Sequence, residues 1–220
     1  MKKLKFGVIG FTGKLGKEVV NLFQEKGYKL VLKVNRKINE QLEKPDVIIE
    51  CGLSNTVDQS IKLSEKLLVP IVVATTGLSP DQIKGLKHLS NYVPVILSSN
   101  YSFGIQVLLK LVEESSKKLK DWDVEISEVH HRFKKDKPSG TAKMIKDLVH
   151  RKDVQVNSSR LGNVQGEHTI KYGGLGEVLS ISHSATSRKT FAEGILKSVN
   201  YILKKKKGLF SFKDVVENKK

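Results

Sequence analysis

The sequence predicts an α/β protein with two parts: a parallel-sheet domain, and a smaller α+β domain whose sheet is mainly antiparallel. Up to about residue 99, short apolar runs alternate with segments of helical periodicity, which is typical of a parallel sheet with helices on both faces. After residue 100 this alternation stops. Residues 154–187 contain five glycines and show no helical period, which indicates antiparallel strands and loops.

The first part contains five apolar runs that predict strands, at residues 4–9, 30–34, 47–49, 71–74 and 93–97. Between them, Leu15, Val19 and Leu22 recur at helical spacing, and residues 55–68 also have a helical pattern. A further helix is predicted to begin at Ser79, because Pro80 follows it and Gln82 completes a capping box.

The second part begins with an amphipathic helix over residues 103–119, followed by period-two alternation from Trp122 that predicts a strand. A helix over residues 141–150 follows, and the last helix, residues 191–203, ends in four lysines and a glycine. We therefore expect two domains, one of residues 1–99 and 194–220 and one of residues 100–193.

The composition is that of a globular protein with a strong positive charge. The 220 residues include 39 Lys and Arg against 23 Asp and Glu, a formal charge of +16 that favours anionic partners. Aromatic residues are only 6% and are scattered, which disfavours a nucleic-acid-binding module. The single cysteine excludes an intramolecular disulfide, and no apolar stretch approaches the ~20 residues of a membrane span. We expect a soluble cytoplasmic protein without a membrane partner.

A glycine motif, Gly10-Phe11-Thr12-Gly13-Lys14-Leu15-Gly16, lies between the first predicted strand and the first predicted helix. Glycines at such a turn let the backbone approach a pyrophosphate, whose charge the helix N-terminus stabilises, so the motif indicates a Rossmann-like nucleotide site. Glycines at a strand-to-helix turn are also often only structural, and the motif alone does not separate the two interpretations.

The second predicted strand ends in Asn35-Arg36-Lys37, where a dinucleotide site usually has an acid that holds the ribose hydroxyls of NAD. With no carboxylate here, the two cations suit the 2′-phosphate of NADPH, and the sequence favours NADPH over NADH. The alternative is that Arg36 and Lys37 are two solvated cations on a basic protein.

The densest cluster of polar residues extends from Glu128 to Thr141 and has two adjacent histidines, a lysine-rich loop and a Ser-Gly-Thr helix start. Histidine exchanges protons near neutral pH, and a helix start offers N–H groups to a carboxylate. We predict no metal site, because adjacent residues of a strand point to opposite faces and no further ligand has a typical spacing. The alternative for the pair is one packed and one solvated histidine.

The run His130-His131-Arg132-Phe133-Lys134-Lys135-Asp136-Lys137-Pro138-Ser139-Gly140-Thr141 closely resembles the H-H-x-x-K-x-D-x-P-S-G-T signature of the dihydrodipicolinate (4-hydroxy-tetrahydrodipicolinate) reductase family. Other segments resemble the family in the same order along nearly the whole chain. These are residues 10–16, 74–77, 99–104, 166–168, 187–188, 191–192 and 208–211.

The resemblance implies a homotetrameric cytoplasmic enzyme of diaminopimelate and lysine synthesis. Residues 1–99 and 194–220 would be its dinucleotide-binding domain, and residues 100–193 its substrate-binding and oligomerisation domain. It would reduce 4-hydroxy-tetrahydrodipicolinate, a cyclic dicarboxylate, to tetrahydrodipicolinate with NADPH or NADH. By position, His130 matches the catalytic acid/base and Lys134 the proton donor, while His131, Gly140 and Thr141 match substrate contacts. The cofactor contacts match Gly10, Phe11, Thr12, Gly13, Lys14, Leu15, Asn35, Arg36, Ala74, Thr75, Thr76, Ser98, Ser99, Asn100 and Tyr101.

The sequence also departs from the family pattern. Asn35 replaces the acid that many members carry, and Glu50-Cys51-Gly52 replaces a common Asp-Phe-Ser/Thr. The second change alters the floor of the cofactor cleft in a way the sequence alone does not define. The alternative functions are another NAD(P)-dependent reductase on the same scaffold and a cofactor-binding sensor without catalysis.

Overall fold

The computed structural model describes residues 3–151 and 153–218. The chain divides into two compact units. Unit 1 comprises the residues up to Tyr101 together with those from Arg188 onward, and unit 2 comprises Ser102–Ser187. The sequence places the second boundary between residues 193 and 194, which is inside a helix; that helix packs as a whole within unit 1, so the division comes before it.

The described residues form eleven strands, seven α-helices and one short 3₁₀ helix at Ser54–Thr56. The strands are β1 (Lys5–Ile9), β2 (Lys29–Val34), β3 (Asn39–Gln41), β4 (Val47–Glu50), β5 (Ile71–Val73), β6 (Pro94–Leu97), β7 (Asp123–His130), β8 (Gln155–Arg160), β9 (Glu167–Gly173), β10 (Val178–Ser184) and β11 (Gly208–Phe210). The helices are α1 (Lys14–Glu25), α2 (Val57–Leu67), α3 (Pro80–Leu89), α4 (Phe103–Lys118), α5 (Gly140–Val149), α6 (Lys189–Ile202) and α7 (Phe212–Val216). None of them is long and apolar enough to cross a membrane, in the part of the chain described.

Unit 1 is built on a seven-stranded sheet of order β11-β6-β5-β4-β1-β2-β3, parallel except where β3 pairs with β2. Strands such as β4 and β5 are buried along their whole length, which explains their unbroken apolar runs. The strand order reverses beside β1, whose neighbours are β2 and β4. In open sheets of this kind, ligands bind at the carboxyl ends of the strands near such a reversal.

Unit 2 has a four-stranded sheet of order β10-β9-β7-β8. β9 is antiparallel to both of its neighbours, and β8 runs parallel to β7 because α5 connects the two. α4 and α5 pack together and cover one face of the sheet through a core that includes Ile126, Ile170 and Tyr172. The predicted fold class, a Rossmann-like parallel sheet with a second, mainly antiparallel sheet, is confirmed.

Three short elements of unit 1 have no counterpart in the sequence prediction. β3 has only polar residues and lies at the sheet edge, so no apolar run marks it. β11 and α7 follow the lysine run at the end of α6. Their place in the fold depends on tertiary contacts, since β11 pairs with β6 and the fully buried Phe212 packs against Tyr101 at a ring distance of 5.3 Å.

The closing segment should therefore contribute to the stability of unit 1. We expect Phe212→Ala to lower the free energy of unfolding by about 3–5 kcal/mol, because it leaves a cavity beside Tyr101. Leu209→Ala, on the same segment but 39% exposed, should cost about 1 kcal/mol or less. Urea unfolding of the two variants followed by circular dichroism measures the difference, and equal effects would contradict the core position of Phe212.

Candidate active site

The glycine turn follows β1 and leads into α1. Gly10 has φ +80°, and a Cβ on it would lie 2.6 Å from the backbone nitrogen of Gly52, so a side chain is excluded on both counts. Gly13 caps α1 without any side-chain hydrogen bond, and the first turn of the helix holds no acid. The N–H groups and the positive end of α1 are therefore suited to an anionic group, as the pyrophosphate of a dinucleotide requires.

Asn35 links this glycine turn to the turn between β2 and β3. Its Oδ1 accepts hydrogen bonds from the backbone N–H groups of Lys37 (2.8 Å) and Ile38 (2.7 Å), and its Nδ2 donates to Thr12 Oγ1 at 3.4 Å. The side chain thus shapes the turn, and Arg36 and Lys37 stand exposed on it. The result is a cationic turn tied to the glycine turn, without a carboxylate.

The other predicted cofactor residues follow β5 and β6 at the same sheet edge. Thr75 is buried and Thr76 exposed, while Ser98 donates to the backbone oxygen of Asn100 at 2.9 Å. Tyr101 differs from the rest because its hydroxyl donates to the Val73 carbonyl at 2.7 Å and its ring is buried. Its side chain belongs to the core of unit 1.

Glu50, at the end of β4, has a fully buried carboxylate that joins the loops of this edge. It accepts hydrogen bonds from Ser60 Oγ and the Gly52 N–H, and from Thr56 and Thr75, each through Oγ1 at 3.1 Å. Burial raises the pKa of Glu50, and these hydrogen bonds only partly oppose the effect. One side chain thus ties the start of α2 and the loop after β5 to the floor of the cleft.

Because Gly52 has no side chain, it leaves the space that the Glu50 side chain occupies. A Cβ at position 52 would lie 2.8 Å from Glu50 Oε1 and even closer to Thr56 Oγ1. A glutamate at 50 and a side chain at 52 therefore compete for one volume. This competition gives a physical reason for the joint presence of Glu50 and Gly52, the departure whose consequence the sequence alone leaves undefined.

In unit 2, the last residues of β7 place a carboxylate next to a histidine. Glu128 and His130 are two residues apart, so both point to the helix-covered face of the sheet, where they are 1% and 8% exposed. His130 Nδ1 is hydrogen-bonded to Glu128 Oε2. His168 of β9 is in register with Glu128, and its ring lies edge-on to that of His130 with centroids 5.0 Å apart.

The second oxygen of Glu128 contacts two further elements. Arg160 Nη1, at the end of β8, lies 3.0 Å from Oε1, and the Ser139 N–H donates to the same atom at 3.3 Å. Burial raises the pKa of the Glu128 carboxyl, but its hydrogen bonds, which include those from His130 and Arg160, outweigh burial and lower it. Glu128 is therefore a buried anion with its charge compensated.

The two buried histidines favour their neutral forms. Burial lowers the pKa of His130 more than the Glu128 carboxylate raises it, and Lys134 and Arg160 lower it further. Burial, followed by the charge of His130, lowers the pKa of His168 to about 3. At neutral pH both rings are uncharged in the free protein, and His130 can accept a proton.

Lys134, the predicted proton donor, lies in the loop after β7. Its Nζ is 2.7 Å from Asp136 Oδ1, and its side chain is 19% exposed. Arg160 Nε donates to the backbone oxygen of Lys134 at 3.2 Å, which fixes the loop. Burial raises the pKa of Asp136, but the hydrogen bond and charge of Lys134 and N–H groups that include that of Gly140 together lower it.

The helix start that follows carries the predicted substrate contacts. Ser139 caps α5 through a hydrogen bond that its Oγ accepts from the Ala142 N–H at 3.2 Å, and Gly140 and the buried Thr141 form the first turn. His131 is half-buried, with its ring centroid 6.4 Å from that of Phe133. Unit 2 thus brings His130, Lys134 and the α5 N-terminus into one hydrogen-bonded cluster.

Glu128, His130 and His168 have ligand atoms within 4.8 Å of one another, a spacing that metal ions also use. Here, however, Nδ1 and Oε2 are hydrogen-bonded to each other, and the Arg160 guanidinium occupies the remaining carboxylate oxygen. A divalent cation would displace the proton between the first pair and lie close to a second positive charge. We interpret the cluster as a proton-handling site.

No sequence pattern assigned a role to Glu128, Arg160, His168 or Glu50. The spacing of Glu128 and His130 carried a usable signal, because residues two apart on a strand share a face. His168 lies in the family-like segment 166–168, but no pattern indicated its place beside Glu128, and Arg160 carried no signal, since both positions depend on the pairing of β8 and β9 with β7.

Known proteins resemble this chain along nearly its whole length. The family model described as dihydrodipicolinate reductase, N-terminus, matches residues 4–101, and the model for its C-terminus matches residues 104–216. A Thermosipho africanus protein called 4-hydroxy-tetrahydrodipicolinate reductase is 40% identical over 214 residues, covering 97% of this chain and 98% of its own. One of the same name from Caldanaerobacter subterraneus is 34% identical, covering 94% and 96%.

A solved structure also has the same fold. The dipicolinate-bound dihydrodipicolinate reductase of Paenisporosarcina sp. TG-14 superimposes with a TM-score of 0.76 at 22% identity, covering 96% of this chain and 98% of its own.

The competition between positions 50 and 52 can be measured with a double-mutant cycle. Gly52→Ser should cost about 2 kcal/mol of unfolding free energy, because the new side chain displaces the Glu50 carboxylate from its donors. In a Glu50→Asp background the same change should cost less, with a coupling of about 1–2 kcal/mol. Chemical denaturation of the four proteins measures it.

Gly176→Ser is the matched control, because a Cβ at that position meets nothing within 4 Å. It should leave stability nearly unchanged. An equal cost of Gly52→Ser in both backgrounds would refute the steric coupling.

Proposed function

Because this chain belongs to the dihydrodipicolinate reductase family, we propose that unit 1 binds the nicotinamide cofactor and that unit 2 binds and protonates the substrate. The activity is the NAD(P)H-dependent reduction of 4-hydroxy-tetrahydrodipicolinate to tetrahydrodipicolinate, a step of diaminopimelate and lysine synthesis. The observation that carries the assignment of roles is the cluster in unit 2, where an acid-held histidine, a lysine and a helix N-terminus meet.

The α5 N-terminus is proposed to bind a substrate carboxylate. Gly140 and Thr141 supply backbone N–H groups there, and the helix dipole adds positive potential. His131 is assigned a substrate contact beside them. Asp136 supports this assignment, because backbone N–H groups that include that of Gly140 help to lower the pKa of its carboxyl, so this helix start favours an ionised carboxylate.

Lys134 and His130 are the proposed proton-handling groups. Addition of a hydride to a conjugated imine creates electron density that a nearby cation stabilises and then protonates. Lys134 is that cation, and Asp136 holds its ammonium group. His130 acts as the acid/base partner. When bound, the nicotinamide supplies the hydride.

The cofactor is assigned to the sheet edge of unit 1. The glycine turn and the start of α1, which has no side-chain cap, suit its pyrophosphate. The loops after β5 and β6 complete the assignment, with Tyr101 contributing through its backbone only. The proposed contacts are Gly10, Phe11, Thr12, Gly13, Lys14, Leu15, Asn35, Arg36, Ala74, Thr75, Thr76, Ser98, Ser99, Asn100 and Tyr101.

NADPH is the proposed preferred form of the cofactor. Both hydrogen bonds that Asn35 Oδ1 accepts come from its own turn, and the exposed side chains beside it are both cationic. The positive charges of this turn can bind the 2′-phosphate of NADPH, whereas the turn offers no carboxylate to the free ribose hydroxyl of NADH.

We also propose that the enzyme is a cytoplasmic homotetramer. The tetramer is supported by the sheet of unit 2, since no helix in its described residues covers the face opposite α4 and α5. That face carries small polar side chains, including Thr169, Ser180 and Ser182. The single cysteine is in keeping with a reducing compartment.

Removal of either proton-handling group should abolish most of the turnover. We expect Lys134→Ala and His130→Ala each to lower kcat about 10²-fold or more, with the Kd for NADPH nearly unchanged. The assay follows NADPH oxidation with substrate generated in place from aspartate semialdehyde and pyruvate by the preceding synthase. Lys135→Ala, an exposed neighbour, is the matched control.

Full turnover in both variants would refute the assigned roles. Cofactor binding without synthase-dependent oxidation in the unmodified protein would instead favour a reductase of another substrate or a sensor.

Cofactor preference should respond to the turn after β2. Asn35→Asp keeps the two hydrogen bonds to Lys37 and Ile38 and adds a charge, so it should raise KM for NADPH and lower KM for NADH. Arg36→Ala should raise KM for NADPH about tenfold and leave that for NADH nearly unchanged, because only the former has a 2′-phosphate. Equal changes with both cofactors would contradict the proposal.

A further inference from the structure

We propose that Glu128, backed by Arg160, is the positioning residue of the reaction: it holds the His130 ring with Nδ1 protonated, so that Nε2 is the atom that exchanges the proton. This inference rests on the proposed role of His130. Glu128 touches neither the cofactor nor the substrate in this proposal. It acts through the ring it orients.

The contacts of His130 define which ring nitrogen is which. Nδ1 faces Glu128 Oε2, an ionised oxygen that only accepts, so Nδ1 carries a hydrogen. No described residue hydrogen-bonds Nε2. Gly166 keeps that side open, because a Cβ there would lie 3.0 Å from Nε2. The neutral ring therefore presents Nε2 as a proton acceptor.

Arg160 links the Glu128 carboxylate to the loop that carries Lys134. Its Nη1 contacts Glu128 Oε1, and its Nε donates to the backbone oxygen of Lys134. Glu128 Oε1 also accepts the Ser139 N–H that precedes the substrate-binding turn of α5. One buried carboxylate thus fixes the histidine, the lysine loop and the helix start together, and His168 closes the remaining side of the ring.

Each proton exchange at Nε2 leaves the hydrogen on Nδ1 in place. When Nε2 takes up a proton, the imidazolium forms against the Glu128 carboxylate, which stabilises it. When Nε2 releases the proton, the ring returns to the same neutral tautomer. The charged groups that face the ring are Glu128 on β7, Lys134 in the following loop and Arg160 on β8, and the titratable but neutral His168 faces it from β9.

The first test measures the tautomer in the protein without substitutions. Nitrogen-15 NMR of the histidine-labelled full-length protein, with His130 assigned by comparison with His130→Ala, reports the tautomer directly. We expect the Nδ1–H tautomer at neutral pH. A ring that carries its hydrogen on Nε2 would overturn the proposal, whatever the activity of any variant.

The second test is Glu128→Gln, which removes the charge at nearly constant shape. We expect kcat to fall about 10- to 100-fold with the Kd for NADPH unchanged, and His130 to lose its pure Nδ1–H tautomer. Because the carboxylate favours the imidazolium, the midpoint of the pH–kcat limb that reports His130 should move to lower pH by about one pH unit or more. Glu113→Gln, an α4 acid paired with Lys117 on the surface, is the control.

Comparison with His130→Ala distinguishes a failure of the positioning role of Glu128 from a failure of the proposed role of His130. Unchanged kcat, pH profile and tautomer in Glu128→Gln, with His130→Ala inactive, would refute the positioning role and leave the proposed function intact. Full activity in both variants would refute the role of His130 itself.

Discussion

The buried carboxylate of Glu128 is the constraint on which the substrate unit depends. A charge with 1% exposure is stable only where donors or cations surround it, because burial removes its hydration. Here those partners are His130, Ser139 and Arg160, which come from β7, the start of α5 and β8. The need to satisfy one anion therefore brings together the groups that the reaction uses.

Local sequence features predicted the scaffold well, because they are properties of contiguous residues. The apolar runs of β4 and β5, the capping box at Ser79 and the glycine turn at Gly10 each follow from backbone chemistry within one turn or strand. The contacts that organise the site are non-local. Arg160 reaches Glu128 across 32 residues because β8 returns beside β7, and no periodicity encodes that return.

The resemblance to a family supplied the positions of the site residues, and the structure supplies physical reasons for some of them. Asn35 is held by its own turn, and Tyr101 lies in the core although it was matched to a cofactor contact. The joint presence of Glu50 and Gly52 was visible as a departure from the pattern. Only the three-dimensional arrangement explains why the two residues occur together, since a Cβ at position 52 would lie 2.8 Å from the Glu50 oxygen.

Two buried glutamates, each at or near the end of a strand, illustrate how partners decide the role of an acid. Glu50 is held by hydroxyl and amide donors alone, and burial raises its pKa. Glu128 is held by a guanidinium and a histidine as well, and its pKa is lowered despite its burial. A carboxyl held by neutral donors can be protonated without leaving a cation unpaired. This suits a residue such as Glu50, which connects loops. A carboxylate that must stabilise an imidazolium has to keep its charge through each proton exchange, and the guanidinium of Arg160 ensures that it does.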